Sequence, residues 1–266
     1  MQPLPVPAIF HCHSQDFLVS HNIYTTHSFF NLNQRQNNIK QKKIIKKRLQ
    51  AKPHAILLAI CILSFFGLCI EGIQTLAEKR IYGIDITQFS QDQLVRHWQI
   101  IIPIWLIVSL LVIWLSKNKC NHNVFESHSV RHKWQMILGI ALPILLAVLW
   151  SCLNGGPGFY KYYTIFPIKM FVYQYVYYIF EMLLAGLIIS LSQKAFDGIL
   201  GKSSNIPWGG LVLGLSWGLI HYLTKGSLFF ALFAFVIAII FGVIFNLVGK
   251  DLKKTWPLMY LVFVSI

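Results

Sequence analysis

Charge is what this chain has least of. Asp, Glu, Lys and Arg make up 12% of its 266 residues, and only nine of them are acidic. Soluble domains carry roughly a quarter of their residues as charge. A chain so poor in charge and 56% hydrophobic cannot cover a water-facing surface. That excludes an ordinary soluble globule and a disordered chain. Paired cysteines are also absent: Cys12, Cys61, Cys69, Cys120 and Cys152 are odd in number, scattered and without a Cys-x-x-Cys pair, which excludes a disulfide framework. No internal repeat marks an inverted-repeat transporter. The glycine-rich stretch Asn154-Gly-Gly-Pro-Gly158 lacks the Lys-Ser/Thr of a phosphate-binding loop and follows no strand, so it reads as a turn.

What remains is long apolar runs. About 20 apolar residues in a helix cross the hydrocarbon core of a bilayer. The runs 54–76, 98–116, 134–153, 168–193, 206–224, 227–248 and a short 255–266 satisfy or approach that length. The fold class expected is therefore all-α, a polytopic transmembrane helix bundle of about seven spans. Between the first two runs, residues 71–97 carry Glu71, Glu78, Asp85 and Asp92 with Lys79, Arg80 and Arg96. They are expected to form an external loop with a short amphipathic helix.

Residues 1–52 differ from the rest. They are rich in Asn, Gln and His and end in a basic run from Arg35 to Lys52. They are expected to form a disordered basic cytoplasmic tail whose last part lies on the bilayer. His11-Cys12-His13, with His21 and His27, is its one stretch with metal-ligating side chains. The remainder divides into N-terminal transmembrane helices over 53–160 and a helical core over 161–266. The net charge of +14 would suggest nucleic acid in a soluble protein. Here the basic residues lie between apolar runs, which points to topology and anionic lipid instead, with no nucleic-acid partner. With the N-terminus inside, seventeen of the 23 Lys and Arg fall on the inner side and six on the outer. This predicts a cytoplasmic N-terminus in a bacterial plasma membrane.

Ionisable groups deep in a bilayer are costly, so each is a candidate for function. Glu181 lies near the middle of 168–193 and His221 in the outer half of 206–224. Gln174, Tyr178, Glu181 and Ala185 form one helical stripe, which turns the carboxylate into the bundle with Gln174 and Tyr178 as polar neighbours. Gly210, Gly214 and Gly218 recur every four residues, a ridge that lets another helix come close. Trp217 lies one turn before His221. The spacing leaves two readings open: a shared metal or proton site, or helix packing with a solitary hydrogen-bonded carboxylate.

These residues resemble the CPBP family of intramembrane metalloproteases, named for CAAX prenyl protease and bacteriocin processing and also called Abi. The resemblance covers roughly residues 168–266. The family motif Glu-Glu-x-x-x-Arg-Gly is matched in part by Phe180-Glu181-Met-Leu-Leu-Ala185-Gly186: the second Glu and the Gly are kept, and Phe180 and Ala185 replace the first Glu and the Arg. The motif Phe-x-x-x-His is met by Trp217-Gly-Leu-Ile-His221, and Gly242 stands where the family has a glycine. The third motif, His-x-x-x-Asn, would fall in 258–266, which contains neither residue. The resemblance implies an intramembrane endopeptidase acting on a peptide or membrane protein. Glu181 and His221 would be its catalytic groups and zinc ligands. Gln174, Tyr178, Trp217 and Asn246 would line the site, and Gly210, Gly214, Gly218 and Gly186 would pack the helices. The departures from the motifs leave two alternatives open: a non-catalytic interaction or immunity-type protein on the same scaffold, and a small proton-coupled transporter.

Overall fold

The computed structural model describes residues 53–126, 132–225 and 227–266. The expected tail, residues 1–52 with its His and Cys residues, lies outside them. Within them the secondary structure is helical, with no strand. The helices are α1 (Pro53–Tyr82), α2 (Gln91–Cys120), α3 (Lys133–Leu153), α4 (Gly158–Ile165), α5 (Ile168–Ile199), α6 (Trp208–Lys225), α7 (Leu228–Leu247) and α8 (Leu252–Ser265). Five of them, α1, α2, α3, α5 and α7, are long and apolar enough to cross a membrane. The other two expected spans are helices too. α6 has 18 residues and ends in His221, Tyr222 and Lys225; α8 has only 14.

The helix boundaries follow local chemistry. Pro53 opens α1, where its missing N–H is no loss and its fixed φ suits a first turn. Nothing breaks that helix at Glu71. It runs on to Tyr82 and stops at Gly83, whose φ of +72° is left-handed and whose N–H closes on the Lys79 carbonyl at 2.9 Å. The expected loop 71–97 is therefore mostly helix. Only residues 83–90, including the short 3-10 turn Ile86–Gln88, separate α1 from α2. Charged residues in the last turns of α1 favoured the loop reading, yet Glu, Lys, Arg and Ala are all good helix formers. α2 starts with a capping box: Gln93 N–H donates to Ser90 Oγ at 3.3 Å, and Ser90 N–H donates to Gln93 Oε1 at 2.8 Å. The 154–158 stretch is a turn, with Gly155 and Gly156 at φ +69° and +134°.

α5 is the hub. Its middle is enclosed by neighbouring helices, while Ile168 and Ile199 at its ends are exposed. From Glu181 to Gln193 every residue but Leu183 is buried. α2, α6 and α8 pack on it. α1 reaches it through Cys61, whose thiol lies 3.7 Å from the Ile188 carbonyl. α1 also meets α2, where the Trp105 indole N–H donates to the Gly67 carbonyl at 2.8 Å. α3 lies outermost, against α7 and α8. Leu, Ile and Phe side chains such as Ile73, Ile107, Ile137, Leu215 and Phe229 remain exposed on the outer faces. In water such a surface would aggregate; facing lipid tails it has no such penalty.

The glycine ridge of α6 faces α7. A Cβ on Gly210 would lie 2.7 Å from the Ala238 carbonyl oxygen, and one on Gly242 would lie 2.6 Å from the Gly210 Cα. Gly214 meets Phe235, and Gly218 meets the Ala231 carbonyl. The close approach of α6 to the Glu181 helix is made instead by Gly209, whose Cα abuts the Ile189 backbone. Gly186 gives room to Leu252 of α8. At one end of the bundle Asp197 ion-pairs with Lys250 and accepts from the Ser204 N–H at 2.9 Å, while Gln193 accepts from the Gly209 N–H at 3.1 Å. That network ties the α5–α6 loop to the α7–α8 turn.

Candidate functional site

α5 carries Glu181 into the interior, where it is 7% exposed. α6 places Trp217 beside it. The indole N–H of Trp217, itself 4% exposed, donates to Glu181 Oε1 at 3.3 Å. His221, one turn further on, is half-buried. Its ring stands edge-on to the indole, with centroids 5.0 Å apart and planes at 81°. His221 Nδ1 lies 2.9 Å from the Trp217 carbonyl oxygen. A carbonyl can only accept, so Nδ1 carries the hydrogen in that contact. Trp217 thus touches both the acid and the imidazole that the sequence singled out.

The other expected lining residues divide. Gln174 Nε2 donates to the Tyr178 hydroxyl at 2.7 Å, one turn before Glu181 on α5. The buried Gln174 Oε1 has no hydrogen-bond partner. Asn246 stands elsewhere. Its Nδ2 donates to the Asn205 carbonyl at 3.1 Å, level with the start of α6 and about four helical turns from His221. α6 and α7 run antiparallel, so the end of α7 meets the beginning of α6. Nothing in the sequence alone sets that register.

Beside the indole is a cavity of about 420 Å³. Phe229, Phe233, Ile237 and Phe263 form apolar walls; Tyr178, Trp217 and His221 supply polar atoms and aromatic faces. Glu181 does not line it. Phe229 and Phe230 at its rim are exposed on the outer surface, so the cavity opens towards the surroundings of the bundle.

The zinc ion implied by the resemblance does not fit these residues. A catalytic zinc takes three protein ligands and a water. Glu181 and His221 are at most two ligands, although the Nδ1 contact of His221 with a carbonyl is one that metal-bound imidazoles also make, and Phe180 stands where the family motif has its first Glu. Among the described residues no three His, Cys, Asp or Glu side chains are arranged to hold a metal ion.

A second polar cluster went unforeseen. On α1, Glu71, Gln74 and Glu78 recur at steps of three and four, one face of a helix. That face meets His97 of α2 and Tyr177 of α5. His97 Nδ1 lies 2.6 Å from Glu78 Oε2, and its Nε2 lies 3.6 Å from Glu71 Oε1. The Tyr177 hydroxyl donates to Glu71 Oε1 at 2.8 Å. The i, i+3, i+7 pattern was the signal available. It was hidden because 71–97 reads as a loop unless α1 is continued to Gly83.

The chain matches no family model, no curated protein and no solved structure.

Proposed function

We propose that this is a seven-span integral membrane protein, its N-terminus in the bacterial cytoplasm, built on a CPBP-like helical core that binds an apolar chain without cleaving it. Five helices are long and apolar enough to cross a bilayer, and α6 and α8 complete the seven in this reading. The excess of Lys and Arg on one side sets the orientation.

One observation carries the non-catalytic assignment: Trp217 both holds the carboxylate and lines the cavity. Its N–H occupies Glu181, and its ring forms the cavity wall from which Glu181 is absent. The family motif has Phe at the Trp217 position, and a phenyl ring has no N–H to donate. A general base must reach the proton that it removes, directly or through one water. Glu181 is not among the residues that line the cavity, which supports a binding role over a catalytic one. The cavity volume falls within the ~300–1,000 Å³ common for ligand sites. Its phenylalanine walls suit a single acyl or isoprenoid chain, and Tyr178 and His221 suit a polar group at the chain's end.

Two measurements on the purified full-length protein in nanodiscs test this. A brominated fatty acid should quench the fluorescence component that W217F removes, and the cavity-filling variant A234W should reduce that quenching at least severalfold. Elemental analysis should find no stoichiometric zinc in wild type. Zinc at one per chain, lost together in E181Q and H221A, would reinstate the metalloprotease reading. Absence of quenching would remove the chain-binding reading.

A further inference from the structure

The cluster of α1, α2 and α5 is independent of the Glu181 site and of the function proposed for it. His97 is 1% exposed and Glu78 is 6% exposed. Among the described residues no Lys or Arg forms an ion pair with Glu71 or Glu78; Lys79, the nearest in sequence, pairs with Asp85 at 2.6 Å. With a neutral imidazole, two ionised carboxylates would leave the cluster two negative charges with no cation to balance them. Sheltered charge of that kind is costly, and a bound proton relieves it directly.

The hydrogen bonds say where a proton would go. A carboxylate accepts only, so the 2.6 Å contact fixes the hydrogen of neutral His97 on Nδ1, pointing at Glu78. The Gln74 amide nitrogen, 3.2 Å from Nδ1, has acceptors for both hydrogens in Glu78 Oε1 at 2.8 Å and the His97 carbonyl at 3.0 Å. That leaves Nε2 as the basic lone pair. It is buried without a hydrogen-bond partner and faces Glu71 Oε1 at 3.6 Å. Glu71 is the one member with substantial exposure, 28% of its side chain, and Tyr177 steadies it by donating a hydrogen bond. The groups facing His97 are thus Glu71, Gln74 and Glu78 from α1 and Tyr177 from α5, with Glu181 one turn beyond Tyr177.

We propose that Glu71, His97 and Glu78 form a proton-binding site, in which a proton arriving through Glu71 is taken up on His97 Nε2 and returned by the same route. The step balances: hydronium and neutral imidazole become water and imidazolium, the new N–H donates to Glu71, and Nδ1–H continues to donate to Glu78. No bond between heavy atoms changes. Carboxylate–histidine chains of this kind carry protons in membrane proteins that couple transport or conformation to pH. Uptake would tie the end of α1 to α2 more firmly, because Glu71 then has a donor from α2 as well as from α5.

The test needs no variant to identify the residue. His97–Trp98 is the only His–Trp pair in the chain, so carbonyl-13C histidine with amide-15N tryptophan singles it out in magnetic-resonance spectra of the intact protein in nanodiscs. Ring-nitrogen signals correlated to that pair should pass reversibly from one protonated nitrogen to two between about pH 8 and pH 5. E78Q should displace the midpoint by about one pH unit or more, whereas E181Q should leave it unmoved. A His97 ring that keeps one form across the whole range would overturn the proposal. So would wild-type protein carrying stoichiometric zinc or manganese that displaces the Nε2 signal, which would make the cluster a metal site.

Discussion

The two buried acid sites of this bundle solve the same problem differently. Glu181 is one carboxylate answered by a neutral donor, the Trp217 indole, 3.3 Å away. Glu71 and Glu78 are two carboxylates answered by one imidazole between them. The donor in the first arrangement carries no charge. The second depends on the state of His97. A charged stretch at a helix end need not be loop.

If that contrast is right, removing His97 does the most damage. H97A leaves the buried Glu78 and the part-exposed Glu71 without their shared partner and should destabilise the bundle by about 3 kcal/mol, the low end of the range for breaking a buried charge pair from one side. Reversible unfolding in bicelles would measure it, and a loss no larger than that of the other variants would erase the distinction between the sites. W217F comes next. It strips Glu181 of its indole donor and should lose about 1–3 kcal/mol by the same measurement. A neutral or stabilising outcome would show that the 3.3 Å contact contributes little. Y177F removes one donor from a half-exposed Glu71 and should lose about 0.5–1.5 kcal/mol; polar contacts between membrane helices average near ~0.6 kcal/mol. The smallest effect belongs to E181Q, within about 0.5 kcal/mol of wild type, because the amide oxygen still accepts from Trp217. A larger loss there would mean that the negative charge of Glu181 itself supports the fold.

Much of this could be read from the sequence, for definable reasons. Apolar run length fixed the helices at 134–153, 168–193 and 227–248 to within a few residues, apart from the continuation of α5 to Ile199, because lipid-facing helices leave little other signal. The contacts of Trp217 with Glu181 and with His221 were foreshadowed by the stripe that turns Glu181 inward and by the four-residue spacing of Trp217 and His221. Three features were not legible. α1 passes Glu71 because helix propensity outlasts hydropathy until Gly83. The small-residue ridge Gly210–Gly218 declares that something packs closely, but not that its partner is α7 rather than the Glu181 helix. Asn246 is polar and near in sequence, yet the antiparallel register of α6 and α7 carries it to the opposite end of the bundle.

The central claim is that the Glu181 carboxylate is held by the Trp217 indole and does not line the cavity. Ser216–Trp217 is the only Ser–Trp pair in the chain, so the Trp217 indole can be identified by the same paired labelling. Its N–H should survive transfer into heavy water for hours, shift in E181Q and stay in place in H97A. An indole N–H that exchanges at once and ignores E181Q would contradict the account.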